Sequence, residues 1–228
     1  MTTQAMNMSI MLNTGEVVDL EGTATDDAFT ELQVSTDYAV AAVSIGQFAN
    51  GKSIAQILQP ASGATGICAA YINRRGEILS LLPIAVQGVQ SQPVAPLAGV
   101  TFQAGDTIQV MTCVAATRIF SYNVITNTGV HAIFQGTPSG SGNTDLTHVL
   151  SGQGLGASLT GQRIVSHFAS STDTTELDSG GGVYILNDRG LPVGGCASVV
   201  PQTLQPTLNS MGQAQVNLNF VARVSTNA

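Results

Sequence analysis

Charge is the scarcest property of this sequence. Only 9% of its 228 residues are charged, against about 25% in ordinary soluble domains. There is one lysine, Lys52, six scattered arginines and no tryptophan, and aromatic residues make up 5%. A surface for nucleic acid needs clustered Lys and Arg, so direct nucleic-acid binding is not expected. A carbohydrate platform needs exposed aromatic rings and is poorly supplied, with Tyr71, Tyr122 and Tyr184 as its best candidates. Cys68, Cys113 and Cys196 lie far apart and form no CxxC pair. They argue against a zinc site, a redox site or a disulfide framework, and read as buried thiols.

Long apolar runs are missing too. The longest, residues 78–86, is far too short to span a bilayer and contains Pro83. Residues 1–12 lack the basic and continuous apolar regions of a signal peptide. The expectation is synthesis in the cytoplasm without a signal peptide, and a place in a virion or extracellular assembly after release. The Met-rich, uncharged residues 1–12 are expected to reach across to a neighbouring copy.

What fills the polar positions is Asn, Gln, Ser, Thr and Gly. A surface so poor in charge is weakly kept apart by repulsion, which favours a protein packed against others. The net charge of −7 is concentrated. Glu16, Asp19, Glu21, Asp26, Asp27, Glu31 and Asp37 all precede Lys52, and the remaining seven acids balance the seven bases. Residues 16–37 lack the D-x-D-x-D-G spacing of a calcium loop, so they read as a solvated face or a partner contact.

The sequence repeats itself. Asn13-Thr14-Gly15 returns as Asn127-Thr128-Gly129, Glu21-Gly22-Thr23 as Gln135-Gly136-Thr137, and Thr30-Glu31-Leu32 as Thr144-Asp145-Leu146. All three share one offset, 127 − 13 = 114. Gly46, Gly51 and Ile54 then match Gly156, Gly161 and Ile164, Tyr71-Ile72 matches Tyr184-Ile185, and Gly76 matches Gly190. Pro96 pairs with Pro206, and Val114-Ala115 with Val221-Ala222. The expected organisation is two tandem copies of one unit, residues 1–120 and 121–228.

Runs of Val, Ile, Thr and Phe punctuated by glycine and proline predict an all-β chain, each unit a β-sandwich or β-barrel with few short helical turns. Strands are expected at residues 16–20, 38–45, 67–72, 77–86 and 107–114. Hairpin loops are expected at Asn73-Arg74-Arg75-Gly76 and Asn187-Asp188-Arg189-Gly190. Gly105-Asp106 reads as the turn into the last strand of the first unit. Residues 53–58 and 145–150 read as helical turns, and Ile45, Ile72, Leu79, Val110 and Val221 as core.

Two segments carry a motif of chemistry. Gly46-Gln-Phe-Ala-Asn-Gly51-Lys52-Ser53 fits the P-loop spacing, in which backbone amides and Lys approach phosphates and Ser binds magnesium. The repeat keeps both glycines but puts Gln162 and Arg163 for Lys and Ser, so the glycine spacing belongs to the scaffold. Asp178-Ser179-Gly180-Gly181 resembles the nucleophile segment of trypsin-like serine proteases, which also need a His base and a buried Asp. His131, His148 and His167 precede Ser179 in the right order, but none has the family's Ala-Ala-His-Cys setting. Asp145 and Asp173 have no special context. The three histidines also lack any metal-ligand spacing.

No catalytic, cofactor or metal residue is therefore expected. The favoured expectation is a non-enzymatic, self-assembling structural protein: a capsid, capsid-decorating or tube subunit of a virion. Its partners would be copies of itself and other structural proteins of the particle, and a trimer of doubled units would show pseudo-sixfold symmetry. The alternatives are a filament or surface-layer subunit, a binding module, or an enzyme acting through Lys52 or Ser179.

Overall fold

The computed structural model describes residues 4–24, 29–63, 67–84, 99–112, 119–138, 142–171, 182–199 and 215–226. The chain divides into two compact units between Ala116 and Thr117, and both are mostly β.

Unit 1 contains β1 (Gln4–Leu12), β2 (Val17–Ala24), β3 (Phe29–Val34), β4 (Val43–Ser44), α1 (Ile45–Phe48), β5 (Ile54–Gly63), β6 (Ile67–Arg74), β7 (Glu77–Leu81) and β8 (Thr107–Thr112). The strands pair in the order β5-β1-β2-β3-β8-β6-β7, with β4 beside β3, and every ladder is antiparallel. The sheet curls until its ends meet. Ala61 of β5 forms a parallel bridge with Ile84, just past β7, and its amide donates to the Pro83 carbonyl at 3.2 Å.

Unit 2 contains β9 (Phe120–Thr126), β10 (His131–Gly136), β11 (Gly142–Asp145), β12 (Thr147–His148), α2 (Leu155–Leu159), β13 (Ile164–Ser171), β14 (Gly182–Leu186), β15 (Pro192–Val199) and β16 (Val221–Thr226). Its order is β11-β16-β14-β15-β13-β9-β10-β12. The two end strands, β11 and β12, are consecutive in the chain, separated only by Leu146, so this sheet also curls back on itself. The β13–β15 ladder is parallel and the others are antiparallel.

Period-two patterning explains the strands. In β1, Met6, Met8, Ile10 and Leu12 are buried, while Asn7 faces water and Ser9 is half-buried. Burial of such a side chain stabilises the fold by roughly 2 kcal/mol. These residues form a central strand of their own unit, between β2 and β5, rather than an arm to a neighbour. In unit 2, Tyr122, Val124, Phe134, Val183, Ile185 and Val224 meet in one apolar cluster.

Other expectations need correction. Residues 38–45 are a turn followed by the short β4 and the start of α1, because Ser44 caps α1 through the Gln47 amide. Residues 53–58 lie largely in β5. Residues 145–150 span the end of β11, β12 and a turn. β7 stops at Leu81 and β8 at Thr112; Val86 and Val114 lie outside the described residues. Ile45, Ile72 and Val110 are buried, but Leu79 and Val221 are only half-buried. Their neighbours Ser80 and Ala222 are the buried ones.

The same hydrogen bonds recur in both units. The Asn13 amide donates to the Ser53 carbonyl and the Asn127 amide to the Arg163 carbonyl, both at 2.9 Å. Each Asn side chain accepts the returning amide, of Ser53 at 3.1 Å and of Arg163 at 2.7 Å. Gly51 donates to Phe102 and Gly161 to Val216, both at 2.9 Å. Gly46 donates to Asp106 at 3.0 Å and Gly156 to Phe220 at 2.8 Å. The ladder partners also fix the last strand. Gln109 stands beside Tyr71 and Arg223 beside Tyr184, an offset of 223 − 109 = 114. Val221-Ala222 thus stands at the ladder position that Thr107-Ile108 holds in unit 1, and Val114-Ala115 lies outside the described residues. Pro96 and Pro206 lie outside the described residues.

Candidate functional site

The glycine-lysine segment is tied into unit 1 by backbone hydrogen bonds. Gly46 lies within α1, and a Cβ there would stand 2.3 Å from the Gln103 carbonyl oxygen, so only glycine fits. Gly51 turns the chain at φ +79°. Most of the amides a phosphate would need are already engaged. Those of Gly46, Ala49, Gly51 and Lys52 donate to backbone carbonyls, and that of Ser53 to the Asn13 side chain. The Lys52 ammonium binds the Glu16 carboxylate at 2.6 Å and lies 5.6 Å from the Phe48 ring centre. A strand, β5, follows where a P-loop has its helix.

Ser179 and Asp173 lie outside the described residues. The three histidines are placed within unit 2. His167 is buried on β13, with its Nδ1 2.7 Å from the Tyr122 hydroxyl and the two rings edge-to-face. His148 lies beside the Phe134 ring, its Nδ1 3.1 Å from the Ser151 hydroxyl. His131 is buried on β10. Burial lowers the pKa of all three, and that of His167 to about 4. Asp145 pairs with Arg223 at 2.5 Å. Of the three candidate tyrosines, Tyr71 and Tyr122 are buried and only Tyr184 is exposed; Tyr38 is exposed as well. Cys113 lies outside the described residues, and Cys68 and Cys196 stand on β6 and β15. Among the described residues no three His, Cys, Asp or Glu side chains are grouped to hold a metal.

The structure does bring together part of the acidic stretch. Glu21 pairs with Gln33 across β2 and β3, so Glu31, two residues back on β3, falls on the same outer face. Together with Asn7, Thr23 and Thr30 they line an open cleft of about 700 Å³, with Met6 also in its wall. Burial pushes the Glu31 carboxyl up. No cation pairs with Glu21 or Glu31 among the described residues. Asp19 is different: it accepts hydrogen bonds from the hydroxyls of Ser9 and Tyr38. The cleft offers acceptors and negative charge, a fit for a cationic or donor-rich group. The sequence repeat did not point to it, because Gln135 replaces Glu21 in unit 2. Its signal was the outward position of Glu21 and Thr23 in an alternating strand.

Comparison with protein families, with curated proteins and with solved structures finds no match.

Proposed function

We propose that this chain is a non-catalytic structural protein that assembles with copies of itself as a virion component, a capsid, capsid-decorating or tube subunit. The two units are read as divergent copies of one closed β-barrel. The observation that carries this reading is the recurrence of the same strand cycle and the same turn hydrogen bonds in both units, under a surface with little charge. A doubled unit lets a trimer present pseudo-sixfold symmetry to a shell or ring. A low-charge polar surface offers little repulsion against close packing. The engagement of the Gly46–Ser53 amides within the fold supports a scaffold role for that segment.

Light scattering on a size-exclusion column, with negative-stain microscopy of the same fractions, tests the reading. Regular rings, tubes, shells or filaments are expected. A monomer at high concentration contradicts it.

A further inference from the structure

The two units treat one tyrosine differently. Tyr71 of β6 and Tyr184 of β14 hold the same place in their sheets, beside Gln109 and Arg223. In unit 1, Phe29 lies edge-on against Tyr71 with ring centres 5.1 Å apart, and Phe29 pairs with Met111 across β3 and β8. In unit 2 the corresponding pair is Asn143 and Ser225. Two large apolar residues are thus replaced by two short polar ones. Tyr71 is 3% exposed and Tyr184 is 46% exposed.

The β14–β15 hairpin extends this open face. Leu191 is 57% exposed and Val193 38%. Arg189 stands exposed in the turn. The turn is held in shape from within. Asn187 Oδ1 accepts the amides of Arg189 and Leu191, the Asn187 carbonyl accepts from Gly190, and the Asn187 amide donates to the Leu191 carbonyl. A preformed turn presenting leucine and arginine loses little freedom on docking.

Unit 1 carries a cleft whose charge complements Arg189. Its cleft of about 700 Å³ has the size of a ligand site, two carboxylates without a cationic partner among the described residues, and exposed Ala5 in its wall. The negative charge of the chain is concentrated in unit 1. Residues 1–116 contain nine acids and three bases, and residues 117–228 five acids and four bases, so the net charges are −6 and −1.

We propose that the β14–β15 hairpin of one copy docks in the Glu21/Glu31 cleft of a second copy, with Arg189 meeting the carboxylates and Leu191 meeting the exposed Ala5 of the cleft wall. Asp188, next to Arg189 in the turn, stays at the rim. The proposal rests on the self-assembly reading above and names its contact. Two hairpins facing each other would bring arginine against arginine, whereas hairpin-in-cleft is complementary in charge. Such a contact is heterologous, so it closes into a ring or continues as a filament.

The test uses the full chain and two surface variants, Leu191→Glu in the hairpin and Glu21→Lys/Glu31→Lys in the cleft, each checked for native circular dichroism. Sedimentation velocity should show wild type assembling and each variant alone as a monomer, with at least tenfold weaker association. A 1:1 mixture of the two variants should give a dimer that does not grow, since one intact hairpin remains for one intact cleft. Structural damage cannot produce that rescue. If wild type assembles and either variant assembles equally well, or the mixture stays monomeric, the contact is wrong while self-assembly stands. A monomeric wild type removes both.

Discussion

The guanidinium of Arg74 grips the Asp106 carboxylate through two hydrogen bonds, 2.7 Å from Nε to Oδ1 and 2.6 Å from Nη2 to Oδ2. The Asp106 side chain is fully buried and also accepts the Gln103 amide at 2.8 Å. Burial alone would raise its pKa, but the Arg74 and Gln103 hydrogen bonds outweigh burial and hold it below the ordinary carboxylate value. Asp106→Ala strands the Arg74 charge and the Gln103 amide, and should cost about 3 kcal/mol in denaturant unfolding of unit 1. The folded-state pKa is depressed, so this contribution is present above the unfolded carboxylate pKa and is lost only as pH falls through the folded value.

Unit 2 should fail before unit 1 on mild acidification. All three histidines lie in unit 2, and each is held neutral by burial. For His167 the folded pKa is about 4 against 6.5 unperturbed. The unfolded chain takes up the proton first, so stability is full above pH 6.5 and declines as pH falls from there toward 4. The loss from His167 should approach about 3 kcal/mol. Amide exchange at pH 7 and pH 4.5 checks this. Protection should fall in β9, β10 and β13 while β1 and β2 keep theirs, and His167→Gln should flatten the profile.

The two helical glycines should be equally intolerant. A Cβ at Gly46 would stand 2.3 Å from the Gln103 carbonyl oxygen, and one at Gly156 2.1 Å from that of Leu218. Both contacts are with backbone, which cannot rotate away. Gly46→Ala and Gly156→Ala should each destabilise by about 3 kcal/mol in thermal or denaturant unfolding. Gly105→Ala, with nothing within 4 Å and no positive φ, is the matched control and should cost much less.

Lys52 should matter little. Its partner Glu16 and its own side chain are both substantially exposed, at 39% and 30%. Lys52→Ala should cost at most about 1 kcal/mol. Calorimetry with magnesium and ATP or GTP should detect no binding to wild type. Tight binding that disappears in Lys52→Ala would overturn the scaffold account of this segment.

The turns were the most legible part of the sequence, because their chemistry is local. Asn73-Arg74-Arg75-Gly76 announced a hairpin, and Arg75 and Gly76 take φ +52° and +83° as a two-residue turn requires. Gly190 at φ +71° repeats the device. The apolar run at residues 38–45 misled because composition carries no register: Tyr38 turns outward to Asp19, and Val40 is fully exposed. Residues 54–58 misled differently. Ile54, Ile57 and Leu58 have helical spacing, yet β5 pairs with β1 through a ladder with register shifts that no local pattern encodes. The cleft is a product of pairing as well. Glu21 and Glu31 are ten residues apart, and only the β2–β3 register puts them on one face.

Sedimentation velocity of the wild-type chain over a hundredfold concentration range separates self-assembly from a monomer. The sedimentation coefficient should rise with concentration, with regular particles, rings or filaments seen by microscopy of the fast fractions. A single concentration-independent species of 23.4 kDa would contradict self-assembly.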